Sequence, residues 1–345
     1  MIRFVKLEIV FRLRVLSMKS FLKLAAERLV KDSKLLRIND IIDWHQLRLV
    51  LKKVDRSGLG PAGYDTLKLL KALILQAWHS LSDVDLEESL RVRMDFLLFT
   101  DLEEEIPDST TICRFRNLLI SRGLLEKALK NINRQLEDKN LKVKPTAGAI
   151  VDATIIESAA APRKTIEAIP VDREEESDVA VYEAADVQMS ADKDARWLKK
   201  GSKRFFGYKS FITVGAEQGY VEKVSVTPAN VSEFTHFEKA IEGVETSRYY
   251  ADKGNASAKN REILKKKGIK SGIMYSAYRN KPLGYWQKLF NKTVSKVRYK
   301  VEQAFGTMKR RFKFTKASYF GTEKVLGQCF LKAIAFNLLK AINIA

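Results

Sequence analysis

Soft metal ligands are almost absent from this chain. It has two cysteines (Cys113, Cys329) and three histidines (His45, His79, His236), none at metal-ligand spacing, which argues against a zinc site. So few cysteines predict free, buried thiols in a reducing compartment, the cytoplasm. Long apolar runs are missing too. No stretch of about eighteen apolar residues occurs, so no membrane span is expected. The opening MIRFVKLEIVFRLRVLS is apolar but broken by Arg3, Lys6, Arg12 and Arg14. It lacks a small-residue cleavage site and does not read as a secretion signal. Met18 begins a more ordinary stretch, so residues 1–17 are expected to be an upstream extension translated from an earlier start codon. Internal repeats and low-complexity tracts are also lacking.

Acids are scarce in the last part of the chain. From Lys253 onward 22 Lys and Arg face three Glu (Glu262, Glu302, Glu323), which accounts for +19 of the formal net charge of +20. Residues 157–195 run the other way, with eleven acids and four bases. What is present is otherwise ordinary: 345 residues, 46% hydrophobic and 30% charged, enough for a globular core and two domains. A basic C-terminal third beside a near-neutral remainder implies a polyanion-binding face, with nucleic acid the first expectation. Ribosomal or membrane-surface binding fits the charge alone, but the chain is too large and structured for a simple basic tail.

Residues 19–140 read as helices. The leucine-rich run after GLGPAGYD predicts a buried helix, Ser82 and Asp83 suit a helix cap, and PDST at 107–110 opens another helix. Short helices joined by tight turns allow a helix-turn-helix as well as a plain bundle. The character changes at Ala147. GAIVDATII reads as a buried strand, and an acidic, aperiodic insertion follows to about residue 196. FFGYKSFITVGAEQGYVEKVSVTP predicts a hairpin, RYYAD a strand, residues 257–268 a helix, and GIKSGIMY a further strand. The last 60 residues are helical. This order is α/β or α+β with mixed strand pairing.

Three acids stand where a carboxylate is costly unless it has a task. Asp152 lies inside an apolar strand, Asp252 ends the strand RYYAD, and Glu302 is the lone acid of VRYKVEQAFGTMKRRF. A buried carboxylate must be paired or must hold a cation, and without Cys or His ligands that cation is Mg²⁺ or Mn²⁺. At about 100° per residue, Arg298, Glu302 and Lys309 fall within about 40° of one another, beside an apolar arc of Val297, Val301, Ala304, Phe305, Met308 and Phe312. Blander readings stand beside these: a backbone-satisfied structural Asp152, a turn or cap acid at Asp252, and a solvated ion pair of Glu302 with Arg298.

The chain resembles bacterial insertion-sequence transposases of the DDE class, and is similar to the insertion sequence five family, from about residue 41 to 339. The resemblance rests on GYDTLKLLKALILQAWHSLSD, DSTTICRFRNLL, IVDATII, FFGYKSFI, VTPAN, ADKGN and NKTVSKVRYKVEQAFGTMKRRF. The last is the most specific, because Arg298, Glu302 and Lys309 match that family's spacing of Arg, three residues, Glu, six residues, Lys. Ser295 stands where a related pattern has Tyr, and Gly215 where relatives often carry an acid. The resemblance implies an RNase H-like catalytic core of mixed sheet with helices, over 146–345. That core would carry an acidic insertion near 157–196 and follow a helical DNA-binding region at 18–145.

It further implies Asp152, Asp252 and Glu302 as catalytic ligands of two Mg²⁺ or Mn²⁺ ions. Arg298, Lys309, Lys253 and Asn255 would be DNA contacts, with Arg114 and Arg116 as candidates for terminal-repeat recognition. Double-stranded DNA (terminal inverted repeats and target), a homo-oligomer and a nucleoid location follow from the same likeness. Competing readings are a catalytically silent DNA-binding protein, a general RNase H-like endonuclease and a basic RNA-binding scaffold. The intact acids count against the first. The Arg/Glu/Lys spacing counts against the second, and the third leaves three acids without purpose.

Overall fold

The computed structural model describes residues 28, 30, 33–52, 54, 63–102, 106–162, 168–170, 182–184, 190–277 and 281–345. The 1–17 extension and much of the acidic insertion lie outside the described residues. Among the described residues seven helices come first: α1 Leu36–Ile41, α2 Trp44–Leu51, α3 Thr66–His79, α4 Asp83–Val92, α5 Met94–Thr100, α6 Ser109–Ser121 and α7 Leu124–Asp138.

Their starts follow from side chains that satisfy orphan N–H groups. Asp65 accepts from the amides of Leu67 and Lys68, Ser82 and Asp85 form a reciprocal capping box, and Asp108 accepts from the amide of Thr111. Each such cap contributes about 1 kcal/mol. Gly123 precedes α7 at φ +60°, a left-handed position that suits glycine. α3 is apolar nearly all round and is correspondingly buried.

The strands are β1 Ala149–Glu157, β2 Ala168–Pro170, β3 Tyr182–Ala184, β4 Arg196–Lys200, β5 Lys203–Gly215, β6 Val221–Pro228, β7 Arg248–Ala251 and β8 Lys270–Ile273. Between and after them lie α8 Glu233–Ile241, α9 Ala258–Lys266, α10 Tyr285–Phe312 and α11 Thr322–Ile344. The main sheet runs β6-β5-β1-β7-β8. β6, β5 and β1 pair antiparallel, while β1, β7 and β8 pair parallel. An antiparallel meander extended by two parallel strands is the arrangement of an RNase H-like core, as the resemblance implied, and it has the mixed pairing that the strand pattern predicted. β4 also pairs with the first residues of β5, and β2 pairs only with β3.

Alternation along β1 sorts the two faces of the sheet. Ile150 and Ile156 enter the main core, which contains residues from α10 and α11. Ala149 and Val151 enter a smaller core with Phe237 and Ile241 of α8 and Leu264 of α9. Asp152 shares the parity of Ile150 and Ile156, so it faces α10. The main core is continuous from the N-terminal helices to α11. Polar ties reinforce it: the Asn337 amide donates to Asn133 Oδ1 and to the Val221 carbonyl, both at 2.8 Å, and Lys332 Nζ donates to Ser80 Oγ at 2.9 Å.

By length and composition α11 could cross a membrane, yet 89% of its apolar window is buried inside the protein. Its apolar surface is consumed by the core. Both cysteines are free thiols, and Cys329 is buried.

Two half-buried histidines give the fold a pH dependence. Burial pushes both His79 and His236 down to about 4, with Arg93 and Lys239 respectively adding to the effect. The unfolded chain protonates them near 6.5, so these groups cost no stability above that pH and reduce it progressively as pH falls towards 4. The thermal midpoint of a His79→Phe/His236→Phe variant is therefore expected to fall less steeply than the parent's between pH 6.5 and 4. Equal slopes would contradict this account.

Candidate active site

The parallel pairing of β1 with β7 sets the site. Ala149 lies opposite Tyr249 and Ile150 opposite Tyr250. Continued by two residues, that register brings Asp152 level with Asp252, on strands about 4.8 Å apart. β7 ends at Ala251, and Asp252 leads into the tight 3-10 turn Lys253–Asn255. One carboxylate is therefore held within a strand and the other at a strand end, on the same side of the sheet.

Arg298 reaches across from α10 to both. Its Nη2 lies 2.8 Å from Asp152 Oδ2 and its Nη1 3.3 Å from Asp252 Oδ1. The Asp152 side chain is 16% exposed and that of Asp252 42%. Burial raises the Asp152 pKa above the usual carboxylate range, and the nearby charge of Asp252 adds to the rise. Arg298 and a 2.9 Å bond from the Ala153 amide oppose it. Two acids side by side, one resisting ionisation, make a place where a cation is needed. Here the guanidinium supplies it, leaving its own buried Nε without a hydrogen-bond partner.

The other expected residues are distributed around this pair. Glu302 is exposed on α10, one turn beyond Arg298, or about 6 Å along the axis. Lys309 lies within the field of Asp152, while burial and Lys200 lower its pKa. Lys253 is exposed in the turn after Asp252. Asn255 is only 4% exposed, and its carbonyl accepts from Asn260 Nδ2 at 3.1 Å. Among the described residues, no three carboxylate, histidine or cysteine side chains gather closely enough to hold a metal ion. The structure thus brings Asp152 and Asp252 together around Arg298 and leaves Glu302 on the neighbouring turn. Farther away, Arg116 is 2% exposed, pairs with Asp83 at 2.9 Å and stacks over Tyr319, whereas Arg114 is exposed.

Sequence reasoning missed Glu233, the first residue of α8. Burial raises its pKa, opposed by Lys209, and the charges of Asp152 and Asp252 raise it further. A Cβ built on Gly254 would lie 2.8 Å from Glu233 Oε2, so glycine two residues after Asp252 lets this carboxylate close on the turn. An acid at a helix start is commonplace because it complements the helix dipole. Nothing in the sequence around VSEF therefore marked it.

Carboxylate oxygens with no soft ligand suit Mg²⁺ or Mn²⁺, and the cation already lodged between Asp152 and Asp252 shows that this pair accommodates positive charge. The transposase DDE domain family matches residues 144–338, and a second transposase domain family, DUF772, matches residues 23–118. The transposase for insertion sequence element IS1106 of Neisseria meningitidis serogroup B is 45% identical over 231 residues, 67% of this chain and 77% of that protein. A piggyBac transposase synaptic complex with hairpin DNA, determined by cryo-EM, overlaps 93% of this chain and 74% of its own at 11% identity and a TM-score of 0.41.

The bridging guanidinium makes a direct prediction. Arg298→Gln leaves two neighbouring carboxylates without their cation, a loss on the order of 1–3 kcal/mol for a partly buried pair. Its thermal midpoint in metal-free buffer is expected to fall by several degrees, and millimolar Mg²⁺ is expected to restore much of the loss. An unchanged midpoint would contradict the bridging role.

Proposed function

The chain belongs to the DDE transposases of insertion sequences, and from that premise we propose that it cuts the ends of its element and joins the freed 3′-OH to target DNA, using Asp152, Asp252 and Glu302 as cation ligands. The observation that carries this reading is the pairing of Asp152 and Asp252, level on neighbouring parallel strands, beneath one cation. Divalent cations such as Mg²⁺ or Mn²⁺, held by Asp152, Asp252 and Glu302, would supply activation of the attacking oxygen and stabilisation of the leaving one.

The protein's own part follows from charge. Arg298 holds the two aspartates in register while no other cation is there. Where a divalent cation neutralised the aspartates, the guanidinium would be free to bind a phosphate beside the scissile bond. Glu302, one turn away on the same helix, would be the third ligand. Lys309, within the field of Asp152, neutralises phosphate on the same stripe of α10, and Lys253 does so from the turn after Asp252. Asn255 holds that turn from inside. No covalent intermediate between protein and DNA is required. Two element ends must be brought together, so the working species is a homo-oligomer on double-stranded DNA carrying the terminal inverted repeats, in the cytoplasm at the nucleoid.

Purified protein with Mg²⁺ and DNA bearing the element's terminal repeats tests this. The parent is expected to cleave and join. Asp152→Asn, Asp252→Asn and Glu302→Gln are each expected to lose at least about a hundredfold in rate while still folding and binding DNA. Strand transfer by Glu302→Gln at the parental rate would remove Glu302 from the ligand set.

A further inference from the structure

On its far side, α10 forms one wall of a second cleft. At about 100° per residue, Lys300, Gln303, Thr307 and Arg310 lie some 140° around the helix from the stripe of Arg298, Glu302 and Lys309. Together with Lys340 of α11 and the β5–β6 turn they enclose a cleft of about 290 Å³, floored by Ala304, Phe336 and Leu339, with no acidic side chain among the described residues of its lining.

Among the described residues, its cations have only neutral partners. Lys300 Nζ donates to the carbonyls of Ala216 and Glu217, the second at 2.6 Å, and Arg310 Nε donates to the Gly306 carbonyl at 3.2 Å. Lys340 Nζ sits 5.5 Å from the centre of the Tyr220 ring. Burial lowers the Lys340 pKa, and the charge of Lys300 lowers it further. Two ammonium groups are thus held within each other's field, in a half-buried pocket, with no carboxylate among the described residues to offset them. Such an arrangement is destabilising in the free protein and is relieved by a bound anion. The amides and hydroxyl of Gln218, Gln303, Asn343 and Thr307 add neutral hydrogen-bonding groups around the rim.

We propose that this cleft binds backbone phosphate of a second duplex DNA segment, on the face of α10 opposite the aspartates. The proposal rests on the DNA-processing reading above. It means that α10 lies between two DNA segments, one cut at Asp152 and Asp252 and one only held. A duplex is favoured over a small phosphate because bases of α10 and α11 line an open groove rather than a closed cage.

The test is the salt dependence of binding to a duplex of about 40 base pairs, without divalent cations. The variant is Lys340→Gln/Arg310→Gln, which spares Lys300 and its hold on the turn. Each lost phosphate contact should lower the slope of log K against log salt by about 0.9, so the variant's slope is expected to fall by 1 to 2, with affinity at low salt reduced about tenfold or more. A charge-conserving Lys340→Arg/Arg310→Lys variant is expected to keep the parental slope, which separates charge from packing. Thermal midpoint and Mn²⁺ binding are expected to stay at parental values in both.

A parental slope in the Gln variant overturns the proposal. So does calorimetric binding of inorganic phosphate that the Gln variant loses while its duplex slope stays parental. Failure of the parent itself to bind duplex in a salt-dependent way would instead refute the DNA-processing reading on which the proposal rests.

Discussion

The guanidinium of Arg298 between Asp152 and Asp252 is the interaction around which the catalytic core is arranged. It joins a helix to two strands that are far apart in sequence, and it does so by offsetting a like-charge repulsion created by strand register. Without β1 and β7 pairing in parallel with a level register, the carboxylates would not meet. Without α10 packing its apolar arc into the main core, Arg298 would not reach them. Val301, Ala304, Phe305, Met308 and Phe312 are all buried, so the core packing of α10 aims the charged stripe at the sheet. The hydrophobic effect fixes the helix, and the helix then delivers a cation to where the sheet has concentrated negative charge.

That dependence explains the two-sided character of α10. A helix whose apolar arc faces the core presents two flanks. One flank meets Asp152 within β1 and Asp252 at the end of β7, and the other meets the β5–β6 turn and α11. Both flanks are basic, but among the described residues only the first faces acids. This asymmetry separates the stripe beside Asp152 and Asp252 from the cleft whose described partners are neutral. A basic segment that looks uniform in composition therefore divides, in three dimensions, into groups with different work to do.

Much of this was legible in the sequence. Period-two and period-3.6 patterns located β1, the β5–β6 hairpin, β7, α9 and α10, because each is bounded by glycine or a cap and has one clearly apolar face. Asp152 stood out because an acid in an apolar strand must be compensated. What was not legible depends on contacts distant in sequence. β4 begins where the acidic insertion ends, and its residues are mostly exposed, so no apolar alternation announced it. Arg116 stood as a candidate for terminal-repeat recognition, but Asp83 and Tyr319 draw it inside. Arg298 read as a phosphate contact because composition shows bases, not the acids that a fold brings to them. Glu233 was concealed by an ordinary position at a helix start, and only the approach of Gly254 distinguishes it.

The central proposal is that Asp152 and Asp252, bridged by the Arg298 guanidinium, form one site that would take a divalent ion in its place. Anomalous diffraction from crystals soaked in Mn²⁺ tests it most directly. The account predicts a Mn²⁺ peak within about 2.3 Å of a carboxylate oxygen from each aspartate, with the guanidinium displaced from at least one of them. A peak elsewhere, or Arg298 still bridging both aspartates at saturating Mn²⁺, would contradict it.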